Sequence, residues 1–191
     1  MLNWRDPRNP LAGGAERVTE AYLRALLARG HEVAWFANAF EGALIGEDLD
    51  GLRIVRGGGK FTSWLSARRW VRRQEPFDLI IDQHHGIPWY APWWANTRVV
   101  AYIHEVLGPI WSSFYLWPIS ALGRWQERYT LRRYRRTPFW TGCQFTCDQL
   151  RAMGAESVTP VSYGIDTEVL EELDERPLTE PVRLIVVSRL A

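Results

Sequence analysis

Short, almost uninterrupted apolar segments alternate along this chain with segments that have helical periodicity. The clearest apolar segments are FDLIID at residues 77–82 and RVVAYIH at 98–104. A strand of an antiparallel sheet with one solvated face would alternate apolar and polar residues, whereas a parallel strand covered on both faces is apolar throughout. The alternation of such strands with helices predicts an α/β fold, a Rossmann-like doubly wound parallel sheet.

The remaining segments extend this pattern over most of the chain. Residues 15–29 place Val18, Tyr22, Ala25 and Leu26 on one helical face, and Gly30 is suited to end that helix in a left-handed conformation. Further helices are predicted at 61–74, 122–134 and 146–153, and further strands at 31–38, 52–56, 139–142, 157–160 and 184–187.

Both ends of the pattern look incomplete at the level of sequence. Residues 1–4 are too few for a full first strand, and the segment 184–191 enters a strand that no helix follows. We therefore expect one Rossmann-like domain at 1–180 with a truncated first strand, and the start of a second domain at 181–191.

Composition excludes several classes of protein. Of the 191 residues, 47% are apolar and 24% are charged, which is typical of a globular chain and excludes disorder. A net charge of +1 provides no overall field for nucleic acid. Two cysteines cannot form a disulfide framework, and no apolar run of 18 residues is present, so we expect a cytoplasmic protein without a membrane span.

The loop WRDPRNPLAGG at residues 4–14 leads directly into the first helix. Unpaired N–H groups and the dipole at a helix N-terminus attract phosphate, and Gly13 and Gly14 would let a phosphate approach the backbone closely. A plain helix-starting turn is the alternative. The nicotinamide fingerprint GxGxxG is absent, because residues 11–16 read LAGGAE.

Polar side chains stand where two predicted strands end. His104 ends the strand 98–104, and His84 and His85 follow the strand 77–82. Ligands of open α/β sheets bind beyond the carboxyl ends of the strands, so contact with a substrate and a purely structural role both stay open for these histidines. Cys143 and Cys147 lack nearby partners for zinc, and we expect both to be buried apolar residues.

Five segments, taken in order, resemble family 4 glycosyltransferases, the retaining enzymes of GT-B fold that use nucleotide sugars. The segments are WRDPRNPLAGGAERV at 4–18, RGHEV at 29–33, VVAYIHEV at 99–106, PVSYGIDTE at 160–168 and LIVVSRL at 184–190. Two positions depart from the family pattern: Ser188 stands where glycine is usual, and TGCQFT at 141–146 replaces a serine-rich segment.

The resemblance implies roles for particular residues. His104 would be the active-site histidine, and Gly13, Gly14 and Arg189 would bind the donor diphosphate. We regard Glu16, His84 and His85 as acceptor-binding candidates, although Glu16 would also suit the helix dipole and the histidines could form a hydrogen-bonded loop.

The resemblance also implies partners and limits. The donor would be a nucleotide diphosphate sugar and the acceptor a glycan or a lipid-linked glycan, with no metal, no other cofactor and no nucleic acid. The family's second domain carries the nucleotide pocket, so we expect this chain alone not to transfer sugar. A non-catalytic Rossmann-like module that binds glycan or lipid at a membrane is the alternative function.

Tryptophan and arginine are concentrated in one part of the chain. Six of the 11 tryptophans lie between Ile87 and Trp125, and arginine-rich segments lie on either side. An interfacial patch for an anionic membrane, on the inner face of the cytoplasmic membrane, is one interpretation. A tryptophan-rich core with solvated arginines is the other.

Overall fold

The computed structural model describes residues 1–59, 62–164 and 181. Within this part of the chain, helices and strands alternate as predicted. The α-helices are α1 (Gly14–Leu27), α2 (Ser63–Val71), α3 (Trp111–Phe114), α4 (Ile119–Arg133) and α5 (Gln144–Ala152). The strands are β1 (Ala34–Ala37), β2 (Gly46–Leu49), β3 (Leu52–Arg56), β4 (Leu79–His84), β5 (Arg98–Ile103), β6 (Phe139–Thr141) and β7 (Val158–Pro160).

The strands form two groups that Leu2 joins. One group has the order β1-β3-β2 and the other the order β4-β5-β6-β7, and every pairing except the β2–β3 hairpin is parallel. Leu2 bridges Phe36 of β1 on one side and Asp82 of β4 on the other, both in parallel. The resulting order reverses at Leu2, which confirms the predicted doubly wound α/β fold.

Helices cover both faces of the sheet, as neighbouring residues of β4 show. Gln83 bonds to Thr19 of α1, whereas Asp82 bonds to Tyr134, which directly follows α4. Because successive side chains of a strand point to opposite faces, α1 and α4 lie on opposite faces of the sheet. Helix α5 shares a core cluster with Leu131 and Tyr134 and therefore lies on the α4 face.

Strand β2 was not predicted, although its turn has a recognisable signal. The sequence GEDL has little β propensity, which concealed the strand. The two turn residues Asp50 and Gly51 have φ values of 50° and 84°, as a type I′ turn requires. An Asp-Gly pair between two leucines predicts such a hairpin.

Helix α3 was not predicted either, because a helix of four residues is too short to show helical periodicity. The other differences concern boundaries. Strand β4 ends at His84, two residues beyond the predicted end, and α2 is shorter than the predicted segment 61–74. Gly30 has a φ of 84°, which confirms the predicted end of the first helix. The predicted strand at 184–187 and most of the boundary between 1–180 and 181–191 lie outside the described residues, so the two domains remain a prediction.

The tryptophans divide between the core and the surface. Trp89 and Trp94 are buried together with Leu2, Phe36 and Ile80 and belong to the core, whereas Trp93 between them is 50% exposed. Trp117 and Trp125, in contrast, are 81% and 62% exposed. Each of the two interpretations of this aromatic region therefore fits a different part of it.

None of the described helices is both long enough and apolar enough to cross a bilayer.

Candidate active site

A buried ion pair holds the loop before α1 against the sheet. The guanidinium of Arg56, on β3, donates to both carboxylate oxygens of Asp6 at 2.7 and 2.8 Å, and both side chains are almost completely buried. Glu47 accepts a third bond from Arg56 at 3.0 Å. A charge pair of this kind is stable in the interior only when its hydrogen bonds are satisfied, so the position of the loop is strongly determined.

The same loop reaches the segment after β4. The indole N–H of Trp4 donates to the carbonyl oxygen of Ile87 at 3.1 Å. This bond places the start of the glycine loop beside the segment that contains His85. The loop and the end of β4 therefore lie at one edge of the sheet, the carboxyl edge, as ligand binding in this fold requires.

The N-terminus of α1 is capped by a carboxylate of its own first turn. Glu16 is buried, and its Oε2 accepts a hydrogen bond from the N–H of Gly13 at 2.7 Å. This contact fits the role of stabilising the helix dipole. The role of Glu16 in acceptor binding stays a prediction.

Gly14 is exposed at this terminus. A Cβ placed at Gly14 would meet no described atom within 4 Å. Packing within the described residues therefore does not demand glycine here, and the open space leaves room for a ligand near the first N–H groups of α1. Binding of a diphosphate by Gly13 and Gly14 stays a prediction.

His104 follows β5 at the same edge of the sheet and is held by three side chains. Its Nε2 lies 3.0 Å from Nε2 of Gln83, and its Nδ1 lies 2.6 Å from the hydroxyl of Tyr163 and 3.4 Å from that of Tyr102. The Oε1 of Gln83 lies 3.1 Å from the Thr19 hydroxyl on α1. A connected series of hydrogen bonds therefore runs from α1 through β4 to the histidine.

These contacts assign the proton of the imidazole. The Gln83 amide is oriented with Oε1 towards the Thr19 hydroxyl and with its nitrogen, which is only a donor, towards His104. Nε2 of His104 must then accept, and Nδ1 carries the proton. His104 is thus a neutral donor whose N–H points at an oxygen, now the hydroxyl of Tyr163.

The surroundings keep the imidazole neutral. Burial, and to a lesser degree the nearby charge of His85, lower the pKa of His104 to about 4. His85 and His104 directly follow His84 and Ile103, which are paired in the sheet, so the two histidines are neighbours at its carboxyl edge. At neutral pH His104 can donate one hydrogen bond to a ligand oxygen without adding charge to the site.

The two consecutive histidines have different surroundings. His85 is exposed at the carboxyl edge, as expected of a ligand-binding residue. His84 is only 4% exposed and packs edge-on against the ring of Tyr134 at 4.7 Å between centroids. Burial lowers the pKa of His84, and the nearby carboxylate of Asp82 opposes this effect only in part. His84 is therefore a neutral core residue under α4 and does not face the candidate site.

Asp82 is a site-building residue that the sequence analysis missed. Its buried carboxylate accepts hydrogen bonds from the N–H groups of Trp89 and Ala91, each at 2.9 Å, and from the Tyr134 hydroxyl at 2.8 Å. The carboxylate therefore fixes the segment that contains His85. An acid inside an apolar strand was the available signal, because a buried charge needs several partners.

Tyr163 lies over the ends of β5 and β6, in contact with His104 and Gly142. Its ring occupies the place where a side chain at Gly142 would be, so any larger residue at 142 would displace it. Tyr163 is 41% exposed. A ligand hydroxyl could therefore take its place at Nδ1 of His104.

The remaining predicted residues lie elsewhere. Cys147 is buried as expected, but the expectation for Cys143 is wrong, since it is exposed at the start of α5. Among the described residues, no three of the residue types that bind metals come together. Arg189 lies outside the described residues, so its role in binding diphosphate stays a prediction.

Comparison with known proteins agrees with the geometry. The model of the family Glycosyltransferase Family 4 matches residues 12–169, which include α1, the strand ends and Tyr163. A search of curated proteins finds no match. The family match covers more than half of the sequence, and the chain belongs to glycosyltransferase family 4.

Proposed function

We propose that this domain is part of a retaining glycosyltransferase that moves a sugar from a nucleotide diphosphate sugar to a hydroxyl of a glycan or lipid-linked acceptor. The observation that carries the proposal is the hydrogen-bonded connection from Thr19 through Gln83 to His104. This connection directs the neutral Nδ1–H donor of His104 towards the exposed carboxyl edge, where His85 and the start of α1 also lie.

The donor diphosphate would bind at Gly13 and Gly14. The partial positive charge of the α1 N-terminus and the guanidinium of Arg189 would offset the charge that develops on the leaving diphosphate. A metal is not needed for that purpose in this proposal, and no other cofactor takes part.

His104 would bind the transferred sugar. In place of the Tyr163 hydroxyl, a sugar hydroxyl would accept the hydrogen bond from Nδ1. As the bond from the anomeric carbon to the diphosphate oxygen breaks, the acceptor oxygen forms its bond on the same face of the sugar. The acceptor proton passes to the departing diphosphate oxygen, and the configuration is retained because attack and departure occur on the same face.

His85 would face the acceptor. It is exposed beside His104, and the segment that contains it is held by Asp82. Nucleic acid is not part of the proposal. The reaction would take place on the cytoplasmic side.

A non-catalytic module that binds glycan or lipid remains the second candidate. The exposed aromatic residues near Trp117 and Trp125 favour this binding module, because binding through them would require no reaction at His104. The two candidates differ in whether a sugar is transferred.

The test is a transfer assay on the gene product that contains this chain. It would be offered radiolabelled UDP-, GDP- and ADP-sugars with membrane and glycan fractions as acceptors, and the anomeric configuration of the product would be read by NMR. We expect transfer from at least one donor with retention. A product of inverted configuration contradicts the retaining route, and absence of transfer from every donor favours the binding module.

A further inference from the structure

We propose that residues 108–133, here named the aromatic hairpin, form a docking surface for an anionic lipid bilayer. The hairpin consists of a short 3-10 turn (Gly108–Ile110), α3, a connecting segment and α4. This inference concerns a surface and not the reaction at His104, so it can be tested without donor or acceptor.

Specific contacts on its inner side hold the hairpin in shape. The buried carboxylate of Glu127 accepts hydrogen bonds from the N–H groups of Leu107 and Gly108, each at 2.8 Å, and from the indole of Trp111 at 3.2 Å. The ring of Trp111 lies against Gly123, where any side chain would collide with it. The outward side chains are therefore presented by a defined structure.

The outer side of the hairpin is apolar to an unusual degree. The most exposed residues lie in the connecting segment, where Leu116 is 86% and Trp117 is 81% exposed. Six further large apolar or aromatic side chains are at least 39% exposed: Ile110, Phe114, Ile119, Leu122, Trp125 and Tyr129. Soluble surfaces rarely expose so continuous an apolar area, which marks an interaction site.

The exposed charge of the hairpin is positive. Between residues 106 and 147 the sequence contains a single acid, Glu127, and its carboxylate is buried. Arg128 and Arg132 are exposed on α4 beside Trp125 and Tyr129, and no acidic partner for either is found among the described residues. The spacing of 125, 128, 129 and 132 places the cations along the apolar stripe, on the same face of the helix.

This combination fits an anionic bilayer better than a protein partner. Tryptophan and tyrosine prefer the membrane interface, and arginines beside them are attracted to anionic lipid headgroups. The most exposed apolar side chains, Leu116 and Trp117, lie together in the segment between α3 and α4, which suits insertion between lipids. A second copy of the same surface would bring arginines against arginines and is disfavoured by repulsion.

The test is sedimentation with vesicles of phosphatidylcholine, with and without about 30% phosphatidylserine. We expect binding that requires phosphatidylserine and weakens as the salt concentration rises, because salt screens exposed charges. The double variant Leu116→Ser with Trp117→Ser should weaken binding at least about tenfold, through loss of apolar contact with the lipid. Arg128→Gln with Arg132→Gln should weaken it about fivefold for each arginine.

Matched variants elsewhere serve as controls. Leu44 and Ile45 are 66% and 79% exposed in the segment before β2, and changing both to serine should leave binding unchanged. Arg29 and Arg98 are exposed outside the hairpin, and changing both to glutamine should have little effect.

Several outcomes would overturn the proposal. These are equal binding to neutral vesicles, no binding at all, or equal weakening by the hairpin and control variants. Ultracentrifugation provides the remaining check: a dimer that becomes a monomer on Leu116→Ser with Trp117→Ser would assign the surface to a second copy. Circular dichroism of each variant separates loss of docking from loss of folding.

Discussion

At the scale of single residues, the state of His104 depends on an uncharged neighbour. Gln83 donates to Nε2 and thereby keeps the proton on Nδ1, where a ligand oxygen could accept it. Burial then disfavours a second proton. His104 is therefore fixed as a hydrogen-bond donor. It could act as a base through Nε2 only after losing the hydrogen bond from Gln83.

Exchanging this neighbour for a carboxylate should change the titration of His104. Gln83→Glu places a negative charge within hydrogen-bond distance of Nε2, which favours the imidazolium. We expect the pKa of His104 to rise from about 4 by about 2. NMR titration of the imidazole nitrogens measures this directly and also reports the tautomer.

Gln74→Glu is the matched control, because Gln74 bonds to Arg53 at the other end of the sheet and should leave His104 unchanged. A wild-type spectrum with the proton on Nε2, or a folded Gln83→Glu protein with an unaltered His104 pKa, would contradict the arrangement.

The sequence could place the histidines but not their neighbours. Because His104 and His85 come at the end of buried strands, the sequence predicts that both lie at the carboxyl edge of the sheet. The contact with Gln83 depends on the register that pairs Gln83 with Tyr102, and the burial of His84 depends on the pairing of His84 with Ile103. Register follows from a hydrophobic alternation or from a short turn, and β4 and β5 are parallel strands that offer neither to the reader of the sequence.

At the scale of elements, the glycine loop depends on charge burial more than on local sequence. Arg56 lies in an arginine-rich part of the sequence, yet its side chain is buried and paired with Asp6. The partners are 50 residues apart, so neither composition nor spacing indicated the contact. The loop before α1 is thus positioned by β3, on the other half of the sheet from the histidines.

Removing the charge of Asp6 should cost stability. Asp6→Asn leaves the buried Arg56 with Glu47 as its remaining acid, and we expect the free energy of unfolding to fall by about 3 kcal/mol. Urea denaturation measures this change. Asp148→Asn, at an exposed pair with Arg151, should cost less than about 1 kcal/mol. Equal stability of the Asp6→Asn and wild-type proteins would show that Glu47 alone satisfies Arg56.

At the scale of the whole molecule, two surfaces with different chemistry share one sheet. The carboxyl edge holds His104, His85 and the start of α1, whereas the aromatic hairpin extends from the chain that follows β5. The fold class and the family were accessible from the sequence, because strand–helix alternation and five ordered motifs persist without knowledge of register. The division of the tryptophans between core and hairpin was not, since burial depends on tertiary packing.

The two neighbouring strand ends are expected to carry histidines of different roles, with His104 facing a ligand and His84 supporting the core. The decisive measurement compares turnover and thermal unfolding for His104→Ala and His84→Ala in the gene product that contains this chain. We expect His104→Ala to lower turnover at least about 100-fold and to change the unfolding midpoint by less than about 2 °C. His84→Ala should lower the midpoint by about 6 °C, since it leaves a cavity beside Tyr134. Near-normal turnover by His104→Ala together with a large loss of thermal stability would make His104 a core residue and contradict the site.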